Sequence, residues 1–175
     1  MVEKNEIYSE AVKSLHIPIK RNGKGDTRTS TTLPTKTEVL EANRSHIDDV
    51  RRVMLALSQI MVEAANKHDY TKIEDLEGFY NNMVDTMRFG KNFKEGKWQR
   101  QHVTFERHHP NDYCQEDINL FDLIEMCADV TCAAKARSGE SPSHVKMSNE
   151  ILRKAFFNTI RLIDKITYIE GGGNV

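Results

Sequence analysis

A chain of 175 residues, 38% hydrophobic and 7% aromatic, can close one domain around an aliphatic core and is too short for two ordinary ones. Its formal net charge of −1 supplies no general attraction for nucleic acid or anionic membrane, and no apolar run approaches the roughly 20 residues that span a bilayer. The opening MVEKNEIYSE lacks the apolar stretch of a secretory signal, and Cys114, Cys127 and Cys132, without CxxC spacing, read as free thiols of a reducing cytoplasm.

Residues 1–19 carry a weak apolar pattern (Ile7, Val12, Leu15, Ile17) that predicts a short helix. Residues 20–37, KRNGKGDTRTSTTLPTKT, are polar and basic with two glycines and a proline, so residues 1–37 are expected to form an N-terminal arm. From Glu38 the pattern turns helical: Val50, Val53, Met54, Leu57, Ile60, Met61 and Ala64 recur at three- and four-residue spacing. Further helices are predicted over 74–88, over 97–109 with Pro110 as terminator, over 119–137 and over 147–169. No period-two strand pattern persists and no internal repeat is visible. The expectation is an all-α single-domain bundle of five to seven helices over 38–170, with a disordered tail at 171–175.

Four of the seven histidines fall in two short stretches, AANKHDYTKI (64–73) and HVTFERHHP (102–110). Neutral imidazole beside carboxylate suits first-row divalent metals. Adjacent helical residues point about 100° apart, so His68 and Asp69 can meet on one ion only where side chains converge at a helix end or a cleft. The plain alternative is an exposed dipeptide. On a helix over 97–109, His102 and His109 would share a face two turns apart, with His108 turned away; surface or capping histidines are the alternative there. In FDLIEMCADV, Asp122, Glu125 and Asp129 stand at i, i+3 and i+7 in an otherwise apolar setting. That stripe is either a solvated face or a set of buried carboxylates that need partners.

Taken in order, a histidine (His46), the pair His68-Asp69 with Lys72 three residues on, and the later Asp129 resemble the HD-domain superfamily of metal-dependent phosphohydrolases. HDYTK, RHHP and EMCAD together look closest to an uncharacterised HD-like family of bacteria and phages, over about residues 43–137. The resemblance implies a cytoplasmic enzyme with two divalent ions, whether Mn, Fe, Co, Ni, Zn or Mg. His46, His68, Asp69, His102, His108, His109 and Asp129 would be their ligands, with Asp69 bridging. It implies hydrolysis of a small phosphate ester such as a nucleotide by metal-activated water. Glu125 or Asp122 would orient an imidazole from behind. Lys72 would neutralise phosphate charge or protonate the leaving oxygen, and Arg107 could meet the phosphate too. One departure stands out: His46 and His68 lie 22 residues apart with no turn signal between them. On an unbroken helix that is about 33 Å, so a shared ion requires a break near EAANK or a reversal within 47–66.

Other chemistries find less support. RNGKGDTRTS lacks the GK[ST] spacing of a phosphate loop and no strand precedes it, and GxSxG is absent. EDLE at 74–77 mimics the ExxE pair of all-α pyrophosphatases, but EMCAD spaces its acids differently. A di-iron oxygenase of the same superfamily needs nearly the same ligands. A non-catalytic, metal-stabilised nucleotide-binding module is the third reading. A homodimer is compatible with a small helical domain carrying a polar arm.

Overall fold

The structure, a computed structural model, describes residues 14–21, 30–142 and 145–170. Thr35 opens the first helix, α1 (Lys36–Lys67). Its hydroxyl accepts from the Glu38 amide at 3.2 Å, and the Glu38 carboxylate accepts from the Thr35 amide at 2.7 Å. That reciprocal box satisfies two donors that a helix start leaves open. α1 then runs 32 residues without interruption, about 48 Å. The break near EAANK that His46 would need is not there. His46 lies exposed on α1, about 33 Å along the axis from His68, and cannot share an ion with it.

After α1 come a one-turn helix α2 (Tyr70–Glu74), α3 (Leu76–Phe89), a 3-10 turn over Phe93–Glu95 and α4 (Lys97–Phe105). α5 (Leu120–Ser138) and α6 (Asn149–Ile166) complete an all-α, single-domain helical bundle. Among the described residues no helix is long and apolar enough to cross a membrane. α4 ends four residues short of its predicted limit, because Glu106 turns extended (φ −84°, ψ 107°). His108 and His109 therefore stand on a loop, and the shared helix face predicted for His102 and His109 does not exist. Gly96, at the start of α4, passes so close to α3 that a Cβ there would overlap Asn82 Oδ1.

Two short strands escaped the sequence pattern. β1 (Ile17–Ile19) pairs in parallel with β2 (Thr167–Ile169), Ile17 opposite Thr167. Residues 15–17 are thus not helical, and the last helix stops at Ile166. Three residues are too few to display a period of two, and parallel partners far apart in sequence leave no local signal. Residues 1–13, residues 22–29 of the polar stretch, residues 143–144 and the tail at 171–175 lie outside the described residues, with the expectations that fell on them.

Ile17, Leu57, Ile60, Phe121 and Ile166 form one buried cluster, joining β1, α1, α5 and α6. Ile118, Leu123 and Ala155 form a second between the loop before α5 and α6. The loop itself is tied down by Asn158, whose amide donates to the carbonyls of Glu116 and Ile118, each at 2.9 Å. Both clusters anchor α5, the helix that faces the histidines.

Candidate metal centre

The centre begins where α1 stops. His68 is its C-cap (φ −54°, ψ 126°), and Asp69 adopts a left-handed conformation (φ 54°, ψ 22°), the one non-glycine among the described residues with positive φ. Aspartate tolerates that region better than most side chains. The turn removes the 100° divergence of a continuous helix and brings His68 Nε2 to 3.5 Å from Asp69 Oδ2. Asp69 precedes α2 but makes no side-chain cap bond to it, so its carboxylate points elsewhere.

The two Asp69 oxygens face different groups. Oδ2 lies by His68 Nε2, which is also 3.6 Å from Asp129 Oδ1. Oδ1 lies 3.5 Å from His102 Nε2 and 3.6 Å from His108 Nε2, and His109 Nε2 is 3.0 Å from that of His102. Two groups of donors result, His68, Asp69 and Asp129 on one side and Asp69, His108 and His109 on the other, each compact enough to hold a metal ion. Donors at about 2.0–2.2 Å from a first-row ion lie roughly 3–3.6 Å from one another, the spacing seen here. Asp69 Oδ1 is buried and has no hydrogen-bond partner of ordinary length among the described residues. An orphaned carboxylate oxygen is costly in the interior, and a cation between it and the imidazoles removes the cost.

Proton inventory strengthens the fit. The Thr71 hydroxyl donates to Glu106 Oε1 at 2.9 Å. Its single proton is then spent, so in the 2.7 Å contact with His102 Nδ1 the imidazole must donate. His102 Nε2 is left with its lone pair facing Asp69. In the same way His68 Nδ1 is 3.0 Å from Glu125 Oε1 in hydrogen-bond geometry, which favours Nδ1–H there and a bare Nε2 toward the centre; the same oxygen also lies 3.0 Å from His108 Nδ1. Trp98 stacks on His102 with centroids 4.8 Å apart and planes at 15°, fixing the ring in rotation.

Electrostatics agree. Burial pulls the His102 pKa down to about 4, helped by neighbouring His109. Burial, then His108, lowers His109 to about 4. Both rings are neutral near pH 7, as metal ligation requires. Burial opposes ionisation of Asp69, but His108 and Lys72 more than offset it and hold the carboxyl well below its usual range. Lys72, one turn on, is ion-paired with Asp69 Oδ2 and keeps about a third of its side chain in solvent.

Of the residues expected from the sequence, His68, Asp69, Lys72, His102, His108, His109, Glu125 and Asp129 converge. Three do not take their expected places. His46 is remote, as described. Arg107 is 2% exposed; it donates to Asp122 through Nε at 2.8 Å and Nη2 at 2.9 Å, and to Asp117 Oδ1 at 2.9 Å. Burial works against its charge, yet Asp122 and Asp117 raise its pKa beyond the usual range, so it is an internal tie rather than a phosphate contact. Asp122, fully buried, binds Arg107 and accepts from the Asn119 amide at 2.8 Å; it caps α5 and orients no imidazole. Conversely, Thr71, Trp98 and Glu106 went unnoticed in the sequence. Thr71 and Glu106 lie inside HDYTK and ERHHP, beside the residues singled out there.

No curated protein and no solved structure matches the chain. Residues 35–161, which span the Thr35 cap and every converging residue, match the model of a family of unknown function, DUF5662, and the chain belongs to that family.

Proposed function

We propose that the protein is a metal-dependent phosphohydrolase of the HD type, cleaving a phosphate ester with two divalent ions. The observation that carries this reading is the division of Asp69: one carboxylate oxygen faces His68 and Asp129, the other His102 and His108. A single carboxylate would then be shared between one donor group of an imidazole and a carboxylate and a second that is rich in imidazole, as a pair of cations would need. The mixed imidazole and carboxylate set suits first-row divalent ions. Such ions, when bound, polarise a phosphoryl oxygen and bring the pKa of a water close to neutral.

The chain's own residues supply the remainder. Glu125 holds the His68 ring from behind, and the Thr71–Glu106 pair does so for His102. Asp129, only partly buried, stands at the solvent side of the centre. Lys72, about a third exposed beside Asp69, places a cation where phosphoryl charge must be balanced. In hydrolysis the water oxygen bonds to phosphorus, the ester P–O bond breaks, and the departing oxygen takes up a proton; Lys72 is placed to give it.

The test is reconstitution. Chelator-treated protein loaded with Mn(II) should bind close to two ions per chain and release phosphate from a panel of phosphate esters. Asp69→Asn should lose both properties, because it removes charge from both donor groups. Stoichiometric metal with no hydrolysis of any ester would sink the proposal. Oxygen consumption by the iron-loaded protein without phosphate release would move the assignment to a di-iron oxygenase.

A further inference from the structure

A cavity of about 310 Å³ lies between α1 and α5 and opens onto His68 and Asp129. Its walls are Met61, Ala65, Phe121, Ile124, Ala128 and Cys132. The only charged or imidazole groups among its described lining residues are His68, Glu125 and Asp129, all at the end shared with the metal centre. No lysine, arginine, amide or hydroxyl side chain lines it among the described residues. The volume is at the lower end of small-molecule sites, roughly 300–1,000 Å³.

Such a chamber sorts ligands by what it fails to offer. A second or third phosphate entering it would find no lysine or arginine among the described lining residues. A sugar or nucleobase would find no hydroxyl, amide or cationic side chain for its polar edges among the described lining residues, which is unfavourable wherever contact with the apolar walls displaces its water. An aromatic or branched hydrocarbon group loses nothing of that kind and gains from leaving water. Met61 and Ile124 are 41% and 47% exposed, so the protein's own core does not cover the walls.

We propose that the substrate is the phosphate monoester of an uncharged, mainly apolar alcohol, with phosphate on the metal centre and the hydrocarbon part in the α1–α5 chamber. This rests on the phosphohydrolase reading. In the reaction the water oxygen bonds to phosphorus, the P–O bond to the alcohol breaks, and the alcohol leaves with a proton.

The experiment compares kcat/KM of the Mn(II)-loaded full chain for 1-naphthyl phosphate, glycerol 2-phosphate, AMP and ATP. Naphthyl phosphate should exceed AMP at least tenfold and ATP at least a hundredfold. Ala128→Phe, which narrows the chamber, should cost naphthyl phosphate at least tenfold more than it costs glycerol 2-phosphate. In parallel, 1-naphthol should slow maleimide labelling of Cys132, read by peptide mapping, while adenosine does not. Preference for AMP or ATP, or an equal loss on both esters in Ala128→Phe, overturns the proposal. If no ester is hydrolysed yet naphthol still shields Cys132, the hydrolase reading falls and the chamber's selectivity for apolar occupants stands. If neither hydrolysis nor shielding occurs, both are wrong.

Discussion

Replacing Arg107 by methionine separates an internal tie from a phosphate contact. Methionine keeps much of the stem but removes every hydrogen bond of the guanidinium, and it strands Asp122, which is 0% exposed, without a counter-ion. Breaking one partner of a buried pair costs about 3–5 kcal/mol, against a total stability of about 5–15 kcal/mol for a domain. With a slope of about 2 kcal/mol per molar urea, the unfolding midpoint should fall by about 1.5–2.5 M. The double variant Arg107→Met/Asp122→Leu should recover most of that loss, since removing both partners leaves no buried charge stranded. A residual deficit of about 1 kcal/mol should remain, because Asp122 also accepts from the Asn119 amide at the start of α5. The assay is equilibrium urea unfolding followed by far-UV circular dichroism. A midpoint shift under 0.5 M in the single variant, with turnover lost, would refute the reasoning and return Arg107 to the substrate.

Thr71→Val should weaken divalent-metal affinity about 10–100-fold, the usual cost of losing a partner behind a ligating imidazole; competition with a metal-sensitive dye measures it, and unchanged affinity would mean that the hydroxyl does not set the His102 tautomer. His46→Ala should leave metal content and affinity as they are, which elemental analysis checks. Metal-free protein should lose stability as pH falls from about 6.5 to 4. Folded His102 and His109 hold out to about 4, while the unfolded chain takes up their protons near 6.5, so each contributes up to about 1.4 kcal/mol per pH unit. The histidine part of the loss should level off below pH 4, where protonation of Asp69, held below its usual range, takes over; His102→Asn should flatten the slope between 6.5 and 4, and a slope unaltered in that variant would place the titration elsewhere.

The sequence exposes the parts of this molecule that depend on neighbours along the chain. α1, α5 and α6 are legible because their apolar stripes and caps are local, and HDYTK stands out because three reactive side chains sit within five residues. What brings the centre together is not local. Thr71 and Glu106 are 35 positions apart, and nothing in either segment announces the other. Arg107 misleads for the same reason: a cation beside two histidines invites a phosphate, and only its burial against Asp122 shows that its charge is already matched. His46 fits the order of a motif, but rise per residue along a continuous helix decides against it. Pro110 reads as the stop of α4, whereas Glu106, whose carboxylate accepts from the Thr71 hydroxyl, already leaves helical geometry four residues earlier.

The left-handed backbone at Asp69 limits which replacements can inform on the centre. Glycine and asparagine relax into that geometry, while a bulky or branched side chain strains it. In a saturation library at this codon, most replacements would add a backbone cost of roughly 1–2 kcal/mol to whatever they change at the centre. Aspartate, asparagine and glycine compare one charged form with two uncharged ones at little such cost, so a stability screen followed by a metal assay divides the two demands on this single position.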